Sequence, residues 1–243
     1  MIYSLCFTSL IAQQIEVGID EKLGEYLPLD LEFVTSDGDS VRIGDVIDRP
    51  VLLSFVYYEC PGICSPLLNE IAWTIDKIQL EPGADFKAVT LSFDHRETPN
   101  VASKWKRNYL QSMKRKINED DWMFLVGDSS SIQKITKSAG FYFKSSDDGQ
   151  FIHAGALIAI SPDGKITRYI FGNTFNPFDV KMAMIEAKAG KTSPTISKVL
   201  QFCYSYDPEG RAYKLNITRI IGVTMLLGVG IFLSVLLFKK KRN

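Results

Sequence analysis

The sequence predicts an α/β fold, a sheet with helices on both of its faces, followed by one transmembrane helix. Three observations predict it. Apolar, β-branched runs of strand length alternate with helical patterns, the alternation closes in a β-hairpin, and the last part of the chain holds 19 residues without a charge.

Residues 15–30 read as an irregular lead-in. Leu31–Val34 and Val41–Ile43 flank Ser36-Asp37-Gly38, a hairpin signal in which Gly supplies positive φ. Val51 to Tyr57 is a continuous apolar run, as a buried central strand should be. A helix follows with apolar residues at Leu67, Leu68, Ile71, Ile75 and Ile78. Ser65-Pro66 offers that helix an N-cap and a first-turn proline, so its start is expected at Pro66. A strand is expected over Phe86–Phe93, a helix over Pro99–Ser112, a strand over Trp122–Val126 and a short helix over Ser130–Ser138. Ala156–Ile160 and Ile166–Phe171 flank the turn Pro162-Asp163-Gly164, and a last helix covers Asn176–Ala187. A strand, a cysteine loop, a helix and a late hairpin are the thioredoxin-like order.

From Ile220 to Phe238 no residue is charged, and Lys239-Lys240-Lys241-Arg242 follows. At about 1.5 Å per residue this run spans roughly 28 Å, near the hydrocarbon thickness of a bilayer. The basic cluster favours a cytoplasmic C-terminus, with the preceding domain outside, and Arg211, Lys214 and Arg219 weaken that vote without cancelling it. Residues 1–14 are a candidate export segment without the usual basic start. Leu5 before Cys6 argues against a lipoprotein, and cleavage near Ala12-Gln13 would remove Cys6. The expected division is therefore 1–14 export segment, 15–195 folded domain, 196–219 juxtamembrane linker, 220–238 transmembrane helix and 239–243 basic cytoplasmic tail. The domain would stand on the periplasmic or extracytoplasmic side of a single-pass membrane protein. Lys plus Arg and Asp plus Glu each total 28, so no basic bias points to nucleic acid.

With four cysteines and two histidines, each can be weighed singly. Cys60 and Cys64 are separated by three residues in Cys60-Pro61-Gly62-Ile63-Cys64, at a strand-to-helix junction. Both thiols are expected in a loop just before a helix N-terminus, where the helix dipole favours thiolate. Three readings of the pair stand open: a dithiol–disulfide redox couple, a soft-metal chelate completed by a third ligand, and a static Cys60–Cys64 disulfide. A Pro- and Gly-containing loop at such a junction is a poor place for a mere staple.

The cysteine motif is similar to the C-P-x-x-C-P of the Sco/SenC family, with Ser65 displacing the second proline to Pro66. Ser92-Phe93-Asp94-His95-Arg96-Glu97-Thr98-Pro99 resembles that family's S-V-D-P-x-R-D-T-P segment, with His95 where proline is usual. Ile152-His153-Ala154, followed by Ala156–Ile160 and Ser161-Pro162-Asp163-Gly164-Lys165, resembles its late histidine, strand and turn. The resemblance covers most of residues 30–190. It implies that His153 joins Cys60 and Cys64 as the third ligand of copper, as Cu(I) or Cu(II), and that Asp94 has a role in copper binding or partner contact. Two sulfurs and one nitrogen suit three-coordinate Cu(I), whereas structural zinc wants a fourth ligand that is not evident. No proline lies between Pro99 and Pro162, where disulfide oxidoreductases of this fold carry their cis-proline. A peroxiredoxin would need threonine where Tyr57 stands.

The function this implies is a copper metallochaperone for the CuA centre of cytochrome c oxidase, acting on subunit II. A thiol reductant and an upstream copper donor are the implied partners. A membrane-bound thiol–disulfide oxidoreductase acting on oxidase or other exported cysteines is the rival, and a sensor would need an output domain the sequence does not offer. Cys203 reads as a spare thiol beside interfacial Tyr204 and Tyr206, and His95 as solvent-exposed.

Overall fold

In the computed structural model, residues 17–60, 62–146 and 149–193 are described, together with strands at 204–207 and 212–215 and the single positions 225 and 228. The candidate export segment, Cys6, Cys203 and the candidate membrane helix at 220–238 (those two positions aside) lie outside the described residues. Among the described residues no helix is long and apolar enough to cross a membrane.

The chain begins with β1 (Gly18–Ile19), β2 (Glu32–Thr35), β3 (Ser40–Arg42), α1 (Ile43–Val46), β4 (Val51–Val56) and α2 (Cys64–Lys77). It continues with β5 (Lys87–Ser92), α3 (Pro99–Ser112), β6 (Trp122–Val126), α4 (Ser129–Ser138), β7 (Phe141–Tyr142), β8 (Lys144–Ser145) and β9 (Phe151–Ile152). The hairpin β10 (Ala156–Ile160) and β11 (Ile166–Phe171) precedes α5 (Pro177–Lys188), and β12 (Tyr204–Asp207) pairs with β13 (Ala212–Leu215). Seven strands form one sheet in the order β11-β10-β4-β5-β6-β2-β3.

β4, β5 and β6 run parallel, and β10 lies antiparallel to β4. All six residues of β4 are buried, which is why it reads as an unbroken apolar run rather than an alternation. α2 packs between α3 and α5, presenting Leu67, Leu68, Ile71 and Ile75 to the core, whereas α4 packs against β7. Two turns need the left-handed backbone that glycine provides. Gly38 (φ +93°) joins β2 to β3, and Gly164 (φ +86°) joins β10 to β11, where a Cβ would also approach the Leu29 side chain to 2.8 Å.

Two local expectations are corrected. α2 starts at Cys64, not Pro66, with Ile63 at its N-cap. Pro66 is thus the third helical residue, within the turn whose N–H groups have no intrahelical acceptor, so its missing donor costs nothing there. The lead-in is not wholly irregular either. β1 pairs with β7, and Gly24, Glu25 and Leu27 exchange backbone hydrogen bonds with Gly164 and Ile166 along the outer margin of β11. Ser193 donates to the Thr167 carbonyl on the same strand.

Candidate metal centre

Strand polarity explains why the site forms where it does. β4 and β5 are parallel and in register to their last pair, Val56 and Ser92, so Tyr57–Cys60 and Phe93–Glu97 leave the sheet side by side. β10 is antiparallel to β4, so its first residues return to that same end, and His153 arrives just before them. The carboxyl ends of parallel strands are where open α/β sheets bind ligands.

The structure brings Cys60, Cys64 and His153 together, with one ligand atom from each lying within 4.8 Å of the others. Both cysteines are free, buried thiols. His153 Nδ1 lies 3.0 Å from the Ala154 carbonyl, which can only accept, so Nδ1 carries the proton and Nε2 keeps its lone pair. That Nε2 faces Cys64 Sγ at 3.4 Å. A backbone carbonyl orienting the distal nitrogen is the usual support of a metal-ligating histidine. Two sulfurs and an imidazole nitrogen form a soft set, and no fourth His, Cys or carboxylate joins it among the described residues.

The imidazole sits in an aromatic nest. Its ring centroid lies 5.0 Å from Phe93, 5.8 Å from Tyr57 and 6.2 Å from Phe141. Phe93 also meets Phe143 at 4.6 Å and Phe151 at 5.5 Å, tying the histidine to the β8–β9 hairpin. Burial among these rings lowers the His153 pKa, which the Ala154 carbonyl only partly opposes, so the neutral ligand form is favoured.

The thiols are unequal, contrary to the expectation that the helix dipole would favour thiolate at both. For Cys60, burial opposes ionisation, yet the neighbouring Tyr57 hydroxyl and the amides of Cys64 and Gly62 outweigh it and lower the pKa. The Gly62 amide lies 3.3 Å from Cys60 Sγ. For Cys64, burial dominates, with repulsion from Cys60 adding to it, and the pKa is pushed up.

Asp94 is 5% exposed, but its carboxylate is engaged by Arg96 rather than by a thiol or the imidazole. Arg96 Nε and Nη2 reach it at 2.8 and 2.7 Å, and its pKa falls because Arg96 outweighs burial. His95 is exposed. Glu97 stands within the Ser92–Pro99 motif, which assigns it no role. Its carboxylate accepts from the amides of Tyr58 and Glu59, at 2.9 and 2.8 Å, and from the Ser92 hydroxyl. Burial raises its pKa. Its place in that motif, beside arginine at a strand end, is the available signal, and it does not say which backbone amides the side chain will reach.

The model of the SCO1/SenC family matches residues 21–187, more than half of the chain. The chain belongs to the SCO1/SenC family. It is 27% identical over 153 residues to the SCO1 protein homolog of Bacillus subtilis (strain 168), covering 60% of this chain and 75% of that one. Among solved structures, BsSco, described as a member of the Sco family of cytochrome c oxidase assembly proteins, aligns with TM-score 0.57 and 22% identity, over 71% of this chain and 99% of that one. A copper-bound structure of Arabidopsis thaliana ScoI aligns with TM-score 0.54 and 20% identity, over 66% and 96%. At these identities the structures establish the shared mixed α/β thioredoxin-like fold of the Sco domain.

Proposed function

We propose that this Sco-family chain is a copper metallochaperone that holds copper with Cys60, Cys64 and His153 and serves assembly of the CuA centre in cytochrome c oxidase subunit II. The observation that carries the reading is the meeting of two buried thiols with an imidazole whose free Nε2 faces them. Relatives support it: ScoI of Arabidopsis thaliana has been solved with copper bound, and BsSco belongs to a family of oxidase assembly proteins. Two thiolates and an imidazole are soft enough for Cu(I) and can take a further ligand as Cu(II). The pair must be reduced before it can coordinate, so a thiol reductant and an upstream copper donor belong to the cycle. The uncharged run at 220–238 with its basic tail supports a single-pass anchor with the domain on the extracytoplasmic side. Tethering would confine donor and acceptor to one surface and raise their effective concentration.

The inequality of the thiols favours a second reading, a membrane-bound thiol–disulfide oxidoreductase in which Cys60 attacks and Cys64 resolves. One set of measurements separates them: Cu(I) competition and absorption spectra of the purified full chain and of Cys60→Ala, Cys64→Ala and His153→Ala. The metallochaperone loses tight copper binding in all three while circular dichroism stays native. Unchanged copper binding by His153→Ala ends that reading. Rapid disulfide turnover by the metal-free protein, indifferent to His153→Ala, establishes the other.

A further inference from the structure

Two adjacent residues, neither of them near enough to serve as a metal ligand, hold the two halves of the donor set from opposite sides. Glu97 receives the amides of Tyr58 and Glu59, the residues immediately before Cys60. Its Oε2 takes the Tyr58 amide and the Ser92 hydroxyl, and its Oε1 takes the Glu59 amide, so both oxygens are committed. Arg96 faces the other way. Forked onto the buried Asp94, it donates from Nη2 to the Gly149 carbonyl at 3.0 Å and lies 5.3 Å from the centre of the Phe151 ring. Gly149 and Phe151 belong to the segment that leads into His153. The Tyr57 hydroxyl spans the gap between the arms, donating to the Gln150 side chain at 2.9 Å.

We infer that Arg96 and Glu97 are paired positioning residues, a two-armed clamp in which Glu97 sets the thiol arm and Arg96 sets the imidazole arm, so that the end of β5 gauges the separation of the donors. The inference rests on the metallochaperone reading and adds a role for residues that touch no metal. The chemistry of each arm suits its task. A carboxylate with two oxygens can accept two neighbouring amides at once, and a planar guanidinium can serve a carboxylate and a carbonyl together. Partners of this kind behind metal ligands typically change metal affinity by about 10- to 100-fold when altered.

The test uses the full chain with Glu97→Gln and Arg96→Lys, both near-isosteric and the second charge-preserving. Glutamine must turn an NH2 toward one of the two amides, and lysine cannot fork Asp94 while holding Gly149. Two readouts are taken: Cu(I) dissociation constants by chelator competition, and amide hydrogen exchange of the metal-free protein. Each variant is expected to weaken Cu(I) binding about 10-fold. Glu97→Gln is expected to loosen the amides of residues 58 and 59 while sparing the Ser146–Gln150 and Gly149–Ser146 bonds of the hairpin. Arg96→Lys is expected to do the reverse. Copper affinity within twofold of the parent in either variant, with its own arm loosened, overturns the clamp. Equal loosening of both arms by each variant overturns it too, because the pair would then be general packing. Failure of the unmodified chain to bind Cu(I) is a different result, which removes the metallochaperone reading itself.

Discussion

The arm that brings the thiols and the arm that brings the imidazole are held by different means. The thiol arm leaves β4, a strand buried along its whole length and paired on both sides, and enters α2, whose first residue is Cys64. Few bonds separate Cys60 from Cys64, so closing that loop costs little. The imidazole arm is a two-residue strand paired, among the described residues, with another two-residue strand alone, with Ile152 56% exposed, and His153 stands 89 residues from Cys64. Its position comes from ring contacts and a few long-range hydrogen bonds, gained only after the long loop is closed. The difference teaches that two ligands are set by local chain geometry and the third by tertiary packing. Perturbations of packing should therefore reach the histidine before the cysteines.

The strongest way to break the contrast is Phe93→Ala, which empties the centre of the aromatic nest. Truncation of a buried phenylalanine is expected to cost about 3–5 kcal/mol, read by urea unfolding, and to shift the His153 ring resonances most. A cost below about 1 kcal/mol, the size of a single methylene effect, would mean the imidazole is seated by something else. A smaller effect sharpens the other side. The Tyr58 hydroxyl donates to the carbonyls of Thr90 and Leu125 beneath the thiol arm, so Tyr58→Phe should cost about 1 kcal/mol and leave Cu(I) affinity unchanged. A tenfold loss of affinity would show that the thiol arm is not over-determined.

The gentlest effect is that of pH on the metal-free protein. Burial lowers the pKa of His153 in the folded state, so the unfolded chain takes up the proton first on acidification. The stability this residue contributes is complete above the unfolded value of about 6.5 and is lost as pH falls below it. Urea midpoints between pH 8 and 5 should therefore fall more for the parent than for His153→Gln. The opposite trend would show that folding favours the imidazolium.

Much of this was legible in the sequence because the informative signals are local. The buried run of β4, the apolar spacing of α2, the hairpin around Pro162-Asp163-Gly164 and the 99–112 helix all carry their own periodicity or turn chemistry. The helix start differs from the expected one because Pro66 looks like a first-turn residue whether it stands first or third. The miniature strands β1, β7, β8 and β9 are two residues each, too short for any alternation to register. The roles of Glu97 and Arg96 are not legible because the groups that tie them to the two arms are backbone ones, the Tyr58 and Glu59 amides and the Gly149 carbonyl, which leave no trace in side-chain identity. The thiol inequality depends on depth, which spacing does not encode.

The lead-in along β11 bears on how copies of this chain tolerate one another. Every open sheet has two margins at which a foreign strand can anneal. One is covered at its start, at Ile166 and Thr167, by the chain's own residues 24–27 and by Ser193. The other is the three-residue β3, too short to template a lasting partner and ended by Arg42 in an ion pair with Asp45. A foreign strand annealing to this sheet would thus meet the chain's own backbone at the start of β11 and only three residues of ladder at β3, both away from the parallel-strand ends that bear the sulfurs.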